Sequence, residues 1–425
     1  MKANGRAIAI LLGWGGAVVA AASGAETEPP RLAVVISIDQ CRADYLERFR
    51  PYFVEGGFRR LIEHGAYFRD AHHRHAMTAT APGHATIVTG VSARDHGIVA
   101  NEWFDPAAGR VMGAVEDPTA PLVPEAPERT SMPGMPDAER SGSPRRLLAA
   151  TIGDQLKLRH GATSRAISIA NKDRAAVFLG GRSADAAYWI VNGRVVTSRF
   201  YRDALPEWLV RFNAEDRVFR AFGHTWDRLL ERDVYDAVQG PDDTAGEESR
   251  HGLGTTFPRK VDGGRAVPDQ EYFNAYRLAP HGSVVLEELA RATIEHEQLG
   301  QREGATDLLC IGFSQTDYAG HSFGPDSHEI MDSVLRLDRA LVSLLATLDR
   351  EVGEGRYGVV LTADHGVAPL PERLPAQERG LAAGRLGRPE LHRLAETALS
   401  DAFGPPPDGT AWSVLDGYGF RLVPR

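Results

Sequence analysis

Four apolar, largely β-branched runs, separated by segments with helical spacing, place the strongest constraint on the fold. The runs are Leu32–Ile38, Arg165–Ile169, Asp307–Phe313 and Tyr357–Thr362. Near-continuous apolar runs of this length are typical of strands that are covered on both faces. Their alternation with helices predicts an α/β fold with a mostly parallel sheet and helices on both faces.

The remaining periodicity predicts further elements around this sheet. The clearest helix covers residues 330–348, where six residues recur at three- and four-residue intervals: Ile330, Val334, Leu337, Leu341, Leu344 and Leu348. Helices are also predicted over 147–158 and 389–399, and Asn192-Gly193 predicts a hairpin with a type I′ turn. Two regions near 101–145 and 185–280 are interpreted as inserted cap segments. We expect a single domain over residues 26–425.

Residues 1–25 have the features of a secretory signal peptide. Two basic residues precede an apolar run over residues 7–22, and small residues follow it. We expect cleavage after Ala25 or Ala22, a periplasmic or secreted mature chain, and no further membrane span. An uncleaved N-terminal anchor is the alternative, although the run is short for a span.

Charge narrows the class of partner. Without residues 1–25 the chain carries 46 Lys and Arg against 57 Asp and Glu, a net charge of −11. This balance argues against nucleic acid or an anionic membrane as the main partner. The net charge is still compatible with an anionic small-molecule substrate, because nearby cations determine the electrostatic potential inside a pocket. Cys41 and Cys310 are expected to be buried thiols, with a disulfide as the alternative in an exported chain.

Each of the four predicted strands runs directly into a polar cluster. Ligands bind beyond the carboxyl ends of the strands in open α/β sheets, so these clusters should meet at one edge. Carboxylate and imidazole ligands together suit zinc, and two zinc ions roughly 4 Å apart can bind the attacking and leaving oxygens of a phosphoryl group. The predicted ligands are Asp39, Asp317, His321, Asp364 and His365.

Thr80 begins a small-residue segment that leads into a predicted helix ending near Gly90. Pro82 suits a first helical turn, so Thr80 should lie just outside the helix N-terminus, beside unpaired backbone donors. Helix capping is the ordinary interpretation of such a threonine. Beside a metal ion, Thr80 could instead be a metal-bound nucleophile that attacks phosphate.

Three further residues could hold the phosphate. Lys172 and Arg174 are two apart, so in an extended segment they would point the same way and contact the non-bridging oxygens. Asn101 could add a neutral donor to this group.

The motifs that contain these residues resemble those of the phosphate-irrepressible alkaline phosphatases. That group belongs to the alkaline phosphatase superfamily and is related to the nucleotide pyrophosphatase/phosphodiesterases. The motifs follow the family's order over most of residues 32–370. They are Asp39-Gln-Cys-Arg42, Thr80-Ala-Pro-Gly-His84-Ala-Thr86, Asn101-Glu-Trp103-Phe-Asp105, Asn171-Lys-Asp-Arg174, Thr316-Asp-Tyr-Ala-Gly-His321 and Thr362-Ala-Asp-His-Gly366.

The resemblance implies zinc-dependent hydrolysis of small-molecule phosphate monoesters through a phosphothreonine formed on Thr80. It implies that one zinc is held by Asp39, Thr80, Asp364 and His365, and the other by Asp317 and His321. Lys172, Arg174 and Asn101 mark the monoesterase branch, because a terminal phosphate has a charged oxygen that a diester lacks. Two alternatives stay open: a nucleotide pyrophosphatase/phosphodiesterase, and an inactive phosphate- or metal-binding remnant.

The sequence departs from the family pattern at the second zinc. The family supplies a third ligand there, a histidine near the C-terminus. After His365 this sequence has only His392, which we interpret as a surface residue of the predicted helix over 389–399. Catalytic zinc usually has three protein ligands, so we expect weak binding by Asp317 and His321. We also expect that the C-terminal part of the domain is missing.

Four other histidines are assigned no metal. His72, His73 and His75 lack zinc-finger spacing and are interpreted as part of a solvated loop. His84 is expected to pack or to form hydrogen bonds near Thr80.

Overall fold

The computed structural model describes residues 28–124, 141–374, 384–406, 409–416 and 419–423. The predicted signal peptide lies outside these residues, as does part of the first predicted insertion. Within them, no helix combines the length and the hydrophobicity that crossing a bilayer requires.

The described residues form thirteen strands, and seven of these make up a sheet at the centre of the molecule. In chain order the strands are β1 (Leu32–Ile38), β2 (Glu102–Asp105), β3 (Arg110–Gly113), β4 (Leu122–Val123), β5 (Ala166–Ala170), β6 (Ala186–Val191), β7 (Arg194–Ser198), β8 (His224–Trp226), β9 (Arg259–Val261), β10 (Asp307–Phe313), β11 (Tyr357–Thr362), β12 (Ser413–Asp416) and β13 (Gly419–Leu422). The sheet order is β11-β1-β10-β5-β6-β7-β4. The first five of these strands are parallel, and β7 is antiparallel to both of its neighbours, β6 and β4. The four predicted strands are therefore adjacent, and the mostly parallel sheet is confirmed.

Helices cover both faces of most of this sheet, as predicted, but the edge strand β11 has an exposed face on which Val360 is 60% exposed. They are α1 (Asp44–Arg48), α2 (Phe58–His64), α3 (Thr80–Thr89), α4 (Ala93–His96), α5 (Ile152–His160), α6 (Asp173–Gly180), α7 (Glu207–Ala214), α8 (Arg217–Arg220), α9 (Arg232–Gln239), α10 (Gln270–Leu278), α11 (His281–His296), α12 (Gln315–Phe323), α13 (His328–Glu351) and α14 (Arg388–Phe403). Val34 and Ile36 of β1 belong to a core cluster with α11 and α13. Val35, which points the other way, belongs to a cluster with Val88 of α3 and Leu179 of α6.

The longest helix, α13, confirms the predicted amphipathic stripe. All six periodic residues named above are buried. Ser327 precedes the helix, and its hydroxyl accepts a hydrogen bond from the backbone N–H of Ile330, which satisfies one first-turn donor.

The helix predicted over 147–158 begins later than expected. The structure places α5 at Ile152–His160, after Thr151. Thr151 and Asp154 form a reciprocal capping box, in which each side chain accepts the other residue's backbone N–H. This Thr-x-x-Asp pattern is visible in the sequence and fixes the helix start, so the prediction over 147–151 was wrong.

The Asn192-Gly193 hairpin is confirmed between β6 and β7. Both residues have positive φ, 44° and 80°, as a type I′ turn requires. These two strands belong to the central sheet, although the sequence interpretation placed residues 185–280 in an insertion. The side chains of Cys41 and Cys310 are both free thiols.

Candidate active site

The polar clusters that follow β1, β5, β10 and β11 meet at one edge of the sheet. Because these strands are parallel neighbours, the residues just beyond their carboxyl ends lie side by side. Asp39, Lys172, Asp317 and Asp364 are all buried there. The predicted convergence at one edge is thus observed.

Asp39, Asp364 and His365 form a group that could hold a metal ion. Each offers one ligand atom, and these atoms lie within 4.8 Å of one another. Nε2 of His365 is 3.3 Å from Oδ1 of Asp39 and 3.7 Å from Oδ2 of Asp364. Nδ1 of His365 donates to the carbonyl oxygen of Gly366 at 2.8 Å, so Nε2 is the ring nitrogen that faces the carboxylates.

Nearby positive charge is required to keep the buried carboxylates of this group ionised. Burial and the neighbouring charge of Asp39 raise the pKa of Asp364 well above its usual range. Burial also opposes ionisation of Asp39, but the Lys172 ammonium and the His365 ring hold the pKa of Asp39 well below its usual range. Burial opposes protonation of His365, yet Asp39 and Asp364 raise its pKa to about 9.

Carboxylate oxygens that lack hydrogen-bond donors also indicate that this group requires a cation. Both carboxylate oxygens of Asp39 and Oδ2 of Asp364 are buried without a hydrogen-bond donor. The Lys172 ammonium lies 2.6 Å from Oδ2 of Asp39 but is not aligned for a hydrogen bond. Buried charges require compensation, so a divalent cation fits this donor set.

Asp317 and His321 form a second pair on α12. They are one helical turn apart, and Nε2 of His321 lies 3.1 Å from Oδ1 of Asp317. Asp317 is buried, whereas the His321 side chain is 67% exposed. Nε2 of His365 lies 3.8 Å from Oδ1 of Asp317, so the pair adjoins the first group. In the part of the chain that the structure describes, no third ligand joins it at metal-binding distance.

Thr80 lies at the start of α3, beside these groups. The helix begins at Thr80 itself, with Ala79 as the preceding residue, so the expected position just outside the helix was wrong by one residue. The Lys172 ammonium donates to Oγ1 of Thr80 at 3.5 Å. The backbone N–H of Ala81 donates to Oδ1 of Asn101 at 2.8 Å, which holds the predicted neutral donor against the first turn of α3.

Lys172 and Arg174 differ in their surroundings. Lys172 has an extended backbone, but α6 begins at Asp173, so the expected extended segment does not reach Arg174. Lys172 is buried and contacts both Asp39 and Asp317, whose charges raise its pKa although burial opposes this. Arg174 is 31% exposed, and its Nη1 lies 3.6 Å from Oδ1 of Asp173.

His84 lies next to the group formed by Asp39, Asp364 and His365. Its Nδ1 lies 2.8 Å from the carbonyl oxygen of Thr80 and 3.3 Å from Oδ2 of Asp364. Burial lowers the pKa of His84 to about 4, so the ring is neutral and Nδ1 donates to the carbonyl oxygen of Thr80, whereas Oδ2 of Asp364 is not aligned for a hydrogen bond. The expected hydrogen-bonding position near Thr80 is observed.

The other histidines are only partly in a solvated loop. His72 is exposed and pairs with Asp70, as expected. Nε2 of His73, however, donates to the carbonyl oxygen of Ala363 at 3.0 Å, directly before Asp364. His75 is half-buried, and its Nδ1 is 3.5 Å from the Thr86 hydroxyl.

One remaining prediction concerns His392, and one residue near the candidate ligands, Gln40, was not predicted. His392 lies on α14, where Nε2 contacts the carbonyl oxygen of Ser413 at 2.9 Å. No sequence pattern indicates a role for Gln40, because a glutamine after a strand is an ordinary loop residue. In the structure it donates hydrogen bonds to Asp364 and Asp317.

The chain is similar to several known proteins. The family model described as type I phosphodiesterase / nucleotide pyrophosphatase matches residues 33–390. Alkaline phosphatase PhoV from Synechococcus elongatus is 36% identical over 345 residues, which is 80% of this chain and 60% of that protein. Alkaline phosphatase PafA from Elizabethkingia meningoseptica is 34% identical over 343 residues, again 80% of this chain and 60% of that protein.

A crystal structure of alkaline phosphatase PafA has a similar fold. It superposes with a TM-score of 0.78 at 31% identity, over 89% of this chain and 69% of that chain. This chain thus spans about 60% of the length of the curated relatives described above.

Proposed function

Because the chain belongs to the type I phosphodiesterase / nucleotide pyrophosphatase family, we propose that it hydrolyses small-molecule phosphate monoesters with Thr80 as the nucleophile. The observation that carries the proposal is the position of the Thr80 hydroxyl. It lies at a helix N-terminus, 3.5 Å from a buried lysine that also contacts Asp39 and Asp317. A hydroxyl placed among a helix N-terminus, a fixed cation and metal-binding carboxylates suits attack on phosphorus.

We propose that two zinc ions are the cofactor. Asp39, Asp364 and His365, with Thr80, would hold one ion, and Asp317 with His321 would hold the other. When bound, zinc would favour ionisation of the Thr80 hydroxyl and neutralise phosphoryl charge. The unsatisfied oxygens of Asp39 and Asp364 support the first of these sites.

The reaction would proceed in two displacements. Oγ1 of Thr80 attacks phosphorus, the bond to the alcohol oxygen breaks, and a phosphothreonine remains. Water then attacks the same phosphorus and releases inorganic phosphate, which restores the Thr80 hydroxyl. Arg174 and the Asn101 amide would contact the non-bridging oxygens during both steps.

The preference for monoesters is supported by the basic pair and by the names of the relatives. A terminal phosphate presents one more charged oxygen than a diester, and Arg174, which interacts electrostatically with Asp39 and Asp317, has a third of its side chain exposed. Diester hydrolysis is the second candidate. It is favoured by one observation: Lys172 is engaged with Asp39 and Asp317 rather than directed outward.

We also propose that the protein acts in the periplasm or outside the cell. This part rests on the signal-peptide features of residues 1–25, which lie outside the described structure.

The Thr80→Ala variant tests the nucleophile. Turnover of an aryl phosphate should fall by about 10³-fold or more, whereas zinc bound per chain should be retained. Thr78→Ala is the matched control, because Thr78 is exposed and precedes α3. Acid-quenched wild-type protein should carry phosphate on Thr80 by mass spectrometry. Full activity in Thr80→Ala would show that another group attacks phosphorus.

Zinc content separates this proposal from an inactive remnant. Two ions per purified chain together with turnover support an enzyme. One ion or none, without turnover, supports the remnant.

A further inference from the structure

Gln40 has an unusual backbone conformation for its residue type. Its φ is 61°, in the left-handed region that residues other than glycine rarely adopt. It is also 2% exposed and directly follows Asp39. Such conformations persist where the surroundings hold the residue firmly, and they are frequent at functional sites.

The surroundings of Gln40 include one carboxylate from each metal-binding group. Its backbone N–H donates to Oδ1 of Asp364 at 3.1 Å. Its side-chain Nε2 donates to Oδ1 of Asp317 at 3.0 Å. One residue therefore connects the group after β11 with the pair on α12.

The side chain reaches Asp317 only because α12 has a glycine beneath it. A Cβ atom on Gly320 would lie 2.0 Å from Oε1 of Gln40, far inside van der Waals contact. Gly320 has no positive φ, so its backbone does not itself require glycine. The close approach of the Gln40 amide explains why a side chain cannot be accommodated here.

Both Gln40 and the charged Lys172 influence the orientation of the Asp317 carboxylate. Gln40 and His321 contact Oδ1 of Asp317, whereas the Lys172 ammonium contacts Oδ2. The neutral Gln40 amide fixes the carboxylate without neutralising it. Without this donor, we expect Asp317 to turn towards Lys172 and away from His321.

We propose that Gln40 is a positioning residue that sets the zinc affinity of the Asp317–His321 pair. This inference rests on the proposed function, because it assumes that the pair holds the second ion. The effect should be large, since only two side-chain ligands are found there among the described residues. Removing a hydrogen-bond partner of a metal ligand typically lowers affinity 10–100-fold.

The test measures zinc binding rather than turnover. Zinc per chain and competition with a chromogenic chelator would be recorded for Gln40→Met and Gln40→Gly. Both lose the donor to Asp317 and keep the backbone N–H to Asp364, and glycine also accepts the positive φ. The second zinc should bind about 10–100-fold more weakly, and the first should be unchanged.

Gly320→Ala removes the same contact without altering Gln40. Its methyl group would displace the Gln40 amide, while alanine favours the helix. It should therefore weaken the second zinc as the Gln40 variants do. In the double variant Gln40→Gly/Gly320→Ala there is no amide to displace, so affinity should equal that of Gln40→Gly alone.

Gln239→Met controls for the loss of a buried amide elsewhere. Gln239 is buried and bonded to Ser327 and Arg48, away from the candidate ligands, so both zinc ions should bind as in the wild type. If the wild type binds two ions and the Gln40 and Gly320 variants bind the second ion with unchanged affinity, this inference is wrong. The proposed function is then unaffected. A wild type that binds no zinc overturns the proposed function as well.

Discussion

At the residue scale, the charges at the sheet edge decide what the site can bind. Three buried carboxylates, those of Asp39, Asp317 and Asp364, lie around the single buried ammonium of Lys172. With all three carboxylates ionised and His365 neutral, as metal ligands must be, this arrangement has an excess of negative charge, which attracts cations and would repel a free phosphate. The proposed phosphate ester substrate would therefore require further positive charge, from a metal and from Arg174.

Arg174 should discriminate between monoesters and diesters. In Arg174→Ala we expect kcat/KM for an aryl phosphate to fall about 10–100-fold further than kcat/KM for a diester with the same leaving group. The reason is that a charge-assisted hydrogen bond to the additional phosphate oxygen, about 1.5–3 kcal/mol, exists only with the monoester. Steady-state kinetics with both substrates measure this difference.

The diester serves as the internal control, because misfolding or zinc loss would lower both rates equally. Arg174→Lys should recover part of the monoester rate, since it restores charge without the planar fork. Equal losses on both substrates would favour the phosphodiesterase alternative.

The residues differ in how far the sequence could predict them. Asp39, Asp364 and His365 follow apolar strands, so the sheet topology alone brings them together. The side chains of Lys172 and Gln40 are oriented by residues on neighbouring strands and on α12. These partners are distant in the sequence, so no local pattern predicts them. Thr80 was misplaced by one residue because helix starts depend on backbone geometry at the cap.

At the element scale, α3 is held against the loop after β11 by backbone contact. A Cβ atom on Gly83 would lie 2.2 Å from the carbonyl oxygen of Asp364. Ala81 and Ala85 of the same helix are fully buried. The small residues of this segment therefore allow Thr80 to approach the candidate metal ligands that follow β11.

Gly83→Ala should separate Thr80, the proposed nucleophile, from the candidate metal ligand Asp364. The added methyl group must push α3 away from Asp364, so we expect turnover to fall by at least about 10²-fold. Overpacking of this kind should also lower the free energy of unfolding by about 1–3 kcal/mol. Aryl phosphate kinetics and urea unfolding measure the two effects.

The matched control is Gly358→Ala on β11, the strand that leads to Asp364. A Cβ atom there would meet no neighbour within 4 Å, so activity and stability should stay close to wild type. Wild-type activity in Gly83→Ala would show that the position of α3 is not critical for the reaction.

At the scale of the whole molecule, the sequence predicted the sheet better than its surroundings. Apolar β-branched runs predict strands, and their alternation with helices predicts that these strands are parallel, but neither pattern predicts the order β11-β1-β10-β5. Strands β6 and β7 were assigned to an insertion because a short hairpin looks the same inside a sheet and outside it. Likewise, residues 101–145 contribute β4 to the sheet edge through pairing with β7, which depends on distant partners.

Glu247 lies where three distant parts of the chain meet. Its side chain is buried near Glu329 of α13 and is 3.7 Å from Nη1 of Arg373, which follows β11. The Thr244 hydroxyl donates to Oε1, whereas Oε2 is buried without a donor. Burial, reinforced by the charge of Glu329, raises the pKa of Glu247 from 4.5 to about 7.

This shift makes the folded state less stable as pH rises. Between pH 4.5 and about 7 the unfolded chain has released the proton that the folded chain still holds, so the free energy of unfolding falls through this range. Above pH 7 the cost is complete, at about 3 kcal/mol, since each pKa unit corresponds to about 1.4 kcal/mol.

Glu247→Gln should remove this cost. The variant keeps an oxygen for Thr244 and carries no charge, so it should stabilise the protein by up to about 3 kcal/mol at pH 8 and by little at pH 4.5. Urea unfolding with EDTA present, followed by tryptophan fluorescence, measures both without metal release. Glu248→Gln is the control, because the Glu248 side chain is half exposed and its replacement should change stability by under about 0.5 kcal/mol at either pH. If Glu247→Gln shifts stability equally at both pH values, the gain comes from packing and Glu247 is not the titrating group.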